Sequence, residues 1–369
     1  MSTAPDRPWS RQPSEWPAPD RKRCRREPNT PQGGIFVASQ SGRVIGALVS
    51  RARGRGIGFA GLVSVGGEAD LSVGAICEAA LEDPGVTSSA LFLESMRHSV
   101  ELASFARAAA AAGKPVAVYK LGRSQAAAEL TVSHPGALAG SDSEAEAFFR
   151  ACGFARINHF EGLVETPALL ERIPAADWPP RVSVMTTTGG GAAIMVDQLS
   201  INGLDGVGPS ENLLQSMPDA GLSVPHSLIA DLGLAGARHD IVSTALQLMQ
   251  NSGEFNLIVF TIGSSARLSH ELAGQAIAER GGQEVPLVAF AVPDAAEAAE
   301  LLNNTGDPAF RTPEACADSI AAAFARRLAS IAPHLALQAP GASRVLDEAA
   351  SAALFSAAGI PLIGGSRPG

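Results

Sequence analysis

The chain has 369 residues, of which 46% are hydrophobic and 18% charged, with a formal charge of −9. This is a core-forming composition sized for two or three domains; its acidity and its 5% aromatic content exclude non-specific nucleic-acid binding and base-stacking platforms. Four widely spaced cysteines without a CxxC suit a reducing cytoplasm, and no apolar run reaches the roughly 20 residues of a membrane span. Residues 1–32 carry many prolines and the basic cluster "DRKRCRRE", lack a signal peptide's apolar region, and read as a disordered leader.

From Gly33 short apolar runs alternate with Ala-rich helical stretches: "GIFVAS", "VIGALVSRARG", "FAGLVSVG", "LSVGAICEAALED", "SALFLES", "VELASFARAAAAAG", "PVAVYKLG". Continuous β-branched runs, each followed by a helical pattern, predict a parallel sheet covered on both faces. The rhythm restarts after the proline-bearing link "ERIPAADWPPR", with "VSVMTTTGGGAAIMVDQLSING", "NLIVFTIG" and "PLVAFAV". Two tandem doubly wound parallel-sheet α/β domains are therefore expected, at 33–175 and 181–330. Residues 340–369 hold a helix and a short apolar run, too little for a core of their own, and read as the start of a third domain.

Two loops sit where a strand hands over to a helix. "ASQSGRVIG" presents Ser39, Gln40, Ser41 and Gly42; "TTTGGGAAI" presents Thr188, Gly189, Gly190 and Gly191. Backbone amides at a helix amino terminus suit a phosphate, and small residues let it approach. A plain strand-to-helix turn is the other reading, since neither loop is a Walker motif or a GxGxxG. "GRGIGFAG" precedes a strand and reads as a turn. "VSVGGEADLS" brings Gly66, Gly67 and Glu68 together, with Asp70 as the expected cap of the next helix.

Of seven histidines, only His134 lies among glycine, alanine and serine, in "VSHPGALAGSD". No HExxH and no close histidine pair occurs, so no metal site is expected; no GxSxG occurs either. His134 is either a packed or surface histidine or a phosphoryl acceptor. The second role needs a carboxylate to hold the other ring nitrogen and helix amino termini to receive the phosphoryl. Glu94, at the carboxyl end of the apolar run in "LFLES", offers that carboxylate where open α/β sheets bind their ligands.

Taken together, "VASQSG", "GLVSVGGEADLSVGAICEAALEDP", "LFLES", "GKPVAVYKLGRSQAAAE", "SHPGALAGSD", "TTTGGGA" and "GDPAFRTPEACADSIAAAFAR" resemble the NDP-forming acyl-CoA synthetases, relatives of succinyl-CoA synthetase and of ADP-forming acetate–CoA ligase. The resemblance runs from about Gly33 to Arg327 and implies two flavodoxin-like domains. It also implies a route in which an acyl phosphate passes its phosphoryl to a loop histidine, and the loop then carries it to a nucleoside diphosphate. His134 matches the phosphohistidine and Glu94 the glutamate that orients it. Ser39 to Gly42 and Thr188 to Gly191 match two phosphate cradles that would face each other, and Gly66, Gly67 and Glu68 a loop on the substrate and CoA side. Pro135 stands where threonine is usual, stiffening the loop and removing an amide donor.

The family's CoA-binding domain has no counterpart in this pattern, and of its ATP-grasp domain only the first helix and strand are resembled, by "SRVLDEAASAALFSAAGIPL", so that 340–369 reads as a truncated start of that domain. The resemblance thus implies partner chains supplying them, a homo- or hetero-oligomer in the cytoplasm, and CoA, a small carboxylic acid, ATP or ADP and Mg2+ for the full enzyme. The expectation is that this polypeptide alone does not make acyl-CoA at a useful rate. A non-catalytic truncated or regulatory module binding acyl-CoA or phosphate is the alternative; nucleic acid and membranes are not expected partners.

Overall fold

The computed structural model describes residues 32–127, 141–175, 179–218, 222, 224–264, 275–277 and 285–330. These residues form one compact unit; of the segment 1–32 only Gln32, which opens β1, is among them, and 340–369 lies outside them. Strands β1 (Gln32–Ser39), β2 (Phe59–Ser64), β3 (Ser88–Leu93), β4 (Val116–Lys120) and β5 (Ala155–Arg156) pair in parallel in the order β2-β1-β3-β4-β5. Helices α1 (Gly42–Ala52), α2 (Val73–Ala80), α3 (Ser99–Ala111) and α4 (Asp142–Cys152) lie between these strands, and α5 (Gly162–Arg172) follows β5.

The second sheet repeats the plan. Its strands β6 (Val182–Thr186), β7 (Ile229–Asp231), β8 (Leu257–Ile262), β9 (Leu287–Ala291) and β10 (Ala309–Phe310) lie in the order β7-β6-β8-β9-β10, again all parallel. With it come α6 (Gly189–Ile201), α7 (Glu211–Ser216), α8 (His239–Asn251), α9 (Ala296–Asn304) and α10 (Pro313–Ala325). Both sheets are therefore doubly wound α/β in the flavodoxin-like order. Each reverses direction between its first strand and the third, which opens a crevice at the carboxyl ends of β1 and β3, and of β6 and β8.

The apolar runs are continuous because both faces of each sheet are buried. Along β3, Ala90 and Phe92 join one core cluster while Leu91 and Leu93 join another, under α2, α3 and α4. The first of these clusters is shared by the two sheets: Val37 and Phe92 belong to it together with Val184 and Val259, and with Leu163 of α5 and Ile320 of α10. Helices α5 and α10 meet closely, with Thr166 Oγ1 and Ser319 Oγ 2.7 Å apart and buried. The Asp318 carboxylate accepts from the amides of Asn158 (2.5 Å) and His159 (3.0 Å), tying α10 to the turn after β5.

A buried ion pair adds to this joint. The Arg55 guanidinium donates to Glu165 Oε1 on α5 and to the Ala309 carbonyl (3.2 Å) at β10. Glu165 also accepts from the Arg311 amide (3.0 Å), but its Oε2 is buried without a partner. Burial pushes the Glu165 carboxyl up to about 7, more than Arg55 pulls it down.

One expectation needs correction: Asp70 does not cap α2. The cap is Ser72, whose hydroxyl accepts from the Ala75 amide (3.1 Å), because it is the residue immediately before the helix in extended backbone. The string from Gly54 to Gly61 does form a turn leading into β2.

Candidate functional site

At the end of β1 the fully buried Ser39 folds its hydroxyl back on the next turn. Its Oγ accepts from the Ser41 amide (3.0 Å) and donates to the Ser41 carbonyl (2.8 Å). Ser41 is the N-cap of α1, and its own hydroxyl makes no capping bond. The first turn of α1 thus keeps amides that no side chain claims, with the positive end of the helix dipole behind them. Gly42 starts the helix; a Cβ there would lie 3.5 Å from the Ser64 hydroxyl at the end of β2.

Gln40 sits in the crevice itself, buried at 7% exposure. Its Oε1 accepts from the amides of Glu94 (2.5 Å) and Ser95 (2.8 Å), and its Nε2 donates to the Ser95 carbonyl (3.1 Å) and to Glu68 Oε2 (2.7 Å). Both acceptor positions and both N–H donors of the side chain are thereby engaged within the protein. Glu68 is buried too, and its Oε1 accepts from the Val73 amide (2.6 Å) at the start of α2. Its backbone has φ +54°, a left-handed conformation that costs a residue with a Cβ roughly 1 kcal/mol. Gly66 and Gly67, just before it, are exposed, and a Cβ on either would meet nothing within 4 Å.

Glu94 follows the last residue of β3 and is half-buried. Its backbone is held on both sides, by Gln40 at the amide and by Lys120 Nζ at the carbonyl (3.2 Å). Its carboxylate pairs with no described residue. Lys120 ends β4 with 6% exposure and also donates to the Leu121 carbonyl (2.5 Å); burial lowers its pKa. A lysine closing an apolar strand was the available signal for this residue, which sequence reasoning passed over. The chain leaves the sheet after Lys120 and next joins it at β5; before that strand, Ser141 opens α4 with a capping box through Glu144. His134 lies in between, outside the described residues.

The second junction is built from the same bonds. Thr186 Oγ1 accepts from the Thr188 amide (2.9 Å) and donates to the Thr188 carbonyl (2.9 Å), as Ser39 does to Ser41. Thr188 caps α6 without a side-chain bond. Thr187 Oγ1 accepts from the Gly263 amide (3.0 Å), taking the place of Gln40, with Gly263 where Glu94 stands. The three glycines differ in role. A Cβ on Gly191 would come 2.3 Å from Val292 Cγ2, so that glycine is required by packing, whereas Gly190 faces open space. A Cβ on Gly189 would lie 3.5 Å from Asp231 Oδ2, which occupies the position of Ser64.

The structure thus brings Ser39, Gln40, Ser41, Gly42, Glu68 and Glu94 to one crevice and Thr188 to Gly191 to its duplicate. A hollow of about 700 Å3 lined by Arg156, Asn158, Asn202, Asp318 and Arg327 holds none of them. Burial pushes the thiols of Cys77 and Cys316 far up and that of Cys152 up to about 12, so none supplies a thiolate. Among the described residues no group of three or more His, Cys, Asp or Glu side chains could hold a metal ion, and no helix is long and apolar enough to cross a membrane.

Residues 32–170 match the family model of the succinyl-CoA ligase like flavodoxin domain. The chain is 27% identical over 306 residues to the alpha subunit of acetate–CoA ligase [ADP-forming] II from Pyrococcus furiosus, covering 80% of this chain and 65% of the relative. The chain is similar to the NDP-forming acyl-CoA synthetases and shares the succinyl-CoA ligase like flavodoxin domain over residues 32–170. A second relative, acetate–CoA ligase [ADP-forming] from Methanocaldococcus jannaschii, is 30% identical over 210 residues, 54% of this chain and 29% of its own length. The chain therefore spans between about a third and two thirds of these synthetases. The fold agrees with that of a Ca. Korarchaeum cryptofilum structure described as a dinucleotide forming acetyl-coenzyme A synthetase 1 in complex with phosphate and ADP. The TM-score is 0.66 at 24% identity, over 80% of this chain and 64% of that one.

Proposed function

We propose that this chain is the phosphohistidine-bearing part of an NDP-forming acyl-CoA synthetase, which interconverts acid, CoA and NTP with acyl-CoA, NDP and phosphate. A ring nitrogen of His134 attacks the phosphorus of an acyl phosphate. The N–P bond forms as the P–O bond to the acyl oxygen breaks, and the acid leaves as its carboxylate with that electron pair. Glu94 accepts a hydrogen bond from the other ring N–H, fixing the tautomer and favouring the positive charge that develops on the ring. The open first turns of α1 and α6, at Ser41–Gly42 and Thr188–Gly191, receive the phosphoryl oxygens before and after transfer. Gly66 and Gly67 border the acid and CoA side.

The reading rests on one observation above the others. Glu94 has its backbone pinned from both sides while its carboxylate pairs with no described residue, at the carboxyl end of β3 next to the strand, β4, that precedes His134 in the chain. The relatives named as alpha subunits support partner chains. Those partners would bring the CoA-binding and ATP-grasp functions, and with them the nucleotide and magnesium. Radiolabelled acetyl phosphate tests the reading: the chain should take up label that is acid-labile and base-stable, and His134→Ala should abolish it. Undiminished label in His134→Ala would overturn it.

A further inference from the structure

Gln40 and Glu68 lie beside the proposed site, yet neither side chain is turned toward a ligand. Gln40 Oε1 holds two successive amides, those of Glu94 and Ser95, while its Nε2 bridges the Ser95 carbonyl and Glu68. Glu68 in turn is fixed by the first amide of α2 and holds its own backbone at φ +54°. A residue kept in that conformation while its carboxylate reaches two partners is held there for the side chain. The duplicate junction is the control within the same molecule. There Thr187 closes the equivalent crevice with a single bond to the Gly263 amide, and the fold forms. The longer clamp accompanies only the junction whose crevice position, Glu94 against Gly263, carries a carboxylate.

We infer that Gln40 and Glu68 are positioning residues for Glu94: the Gln40 amide, oriented by Glu68, sets the backbone from which Glu94 addresses the histidine. The inference rests on the reading of Glu94 given above. The carboxamide orientation is set by the bonds themselves, since Oε1 meets two N–H donors and Nε2 meets two oxygens. Gln40 and Glu68 then act on the rate of phosphoryl transfer, and anion affinity stays with the backbone amides of the cradle.

The test uses the full chain, radiolabelled acetyl phosphate, and two readouts, the maximal rate of phosphohistidine formation and the half-saturating acetyl phosphate concentration. Gln40→Met should slow the maximal rate about 10- to 100-fold, as loss of an orienting partner does elsewhere, with half-saturation unchanged. In a Glu94→Gln background the same substitution should cost nothing further, because both changes act through one group. Glu68→Gln, which keeps an oxygen for the Val73 amide but loses the acceptor for Gln40, should behave alike and carries the test if Gln40→Met fails to fold by circular dichroism. A raised half-saturation at full rate would make Gln40 a phosphate ligand and overturn the inference. So would a wild-type rate, or losses that multiply across the two backgrounds. If instead Glu94→Gln is itself as fast as wild type, or label survives His134→Ala, the reading of Glu94 falls and this inference with it.

Discussion

The two strand–helix junctions of this protein share their backbone bonds and the hydroxyl turn that follows the strand; they differ in one added bond, from Thr186 Oγ1 to the Thr261 carbonyl (3.2 Å), and in the side chains that reach past the backbone. Ser39 and Thr186 make the same pair of hydrogen bonds two residues ahead. The Gln40 amide donates to the Phe92 carbonyl (3.1 Å) as the Thr187 amide does to that of Thr261 (3.2 Å), and the carbonyls of Ser39 and Thr186 accept from Val65 and Leu232, both at 2.9 Å. Against this identical frame Glu94 faces Gly263, Gln40 faces Thr187, and Ser64 faces Asp231. The two junctions therefore share what forms a cradle and differ in the chemistry they present. One copy carries a carboxylate at the crevice and a neutral hydroxyl at the helix terminus; the other has a glycine at the crevice and a carboxylate at the terminus.

The largest expected effect is at Glu94. Glu94→Gln should lower phosphohistidine formation from acetyl phosphate by about two orders of magnitude or more, the range for loss of a positioned acid–base group. Thermal unfolding should stay where it is, because the carboxylate pairs with no described residue. Equal rates would remove the distinction between the two junctions.

Glycines sharpen the comparison next. Gly191→Ala should destabilise the protein by about 1–3 kcal/mol, since the new methyl overlaps Val292 and two threonine methyls, and Val292→Ala should restore part of the loss. Gly190→Ala, one residue away in open space, should be neutral or stabilising by up to about 1 kcal/mol through helix propensity. Denaturant unfolding of the three variants reads this directly.

Glu165 gives a pH prediction for the joint between the sheets. Its folded pKa of about 7 lies above the ordinary carboxyl value, so the folded state holds a proton that the unfolded chain has released. Stability should therefore fall as pH rises from about 4.5 toward about 7, by about 2–3 kcal/mol from this group. Glu165→Gln should flatten that interval, as seen by denaturant midpoints across it. A midpoint profile unchanged by the substitution would contradict the burial argument.

The smallest effect is at the helix termini. Asp231→Ser gives the second cradle the hydroxyl of the first and removes a carboxylate that opposes the helix dipole. It should tighten inorganic phosphate there by a few-fold, about 0.3–1 kcal/mol at low salt, with Ser64→Asp acting oppositely at the first. Calorimetric titration would resolve the pair.

Much of the architecture was legible because both faces of each sheet are buried: β1, β3, β4, β6, β8 and β9 are continuous apolar runs. Strands β5, β7 and β10 have two or three residues each and carry no period to read. Glu94 was legible as a charge closing an apolar strand, and the loops as small residues between strand and helix. Gln40 was read with the phosphate cradle and Glu68 with the substrate loop because their partners are distant in sequence. The Gln40–Glu94 and Gln40–Glu68 contacts span 54 and 28 residues, and no local pattern encodes them. Ser72 displaced Asp70 as the α2 cap for the opposite reason, a choice of two residues decided by where the helix begins.

The most direct test of the difference between the junctions is to locate the phosphoryl group itself. Mass spectrometry under alkaline conditions, after treatment with acetyl phosphate, should find it on His134 alone, at sharply lower occupancy in Glu94→Gln. Phosphate on Ser41 or Thr188 in the cradles, or equal occupancy of His134 with and without the Glu94 carboxylate, would contradict the account.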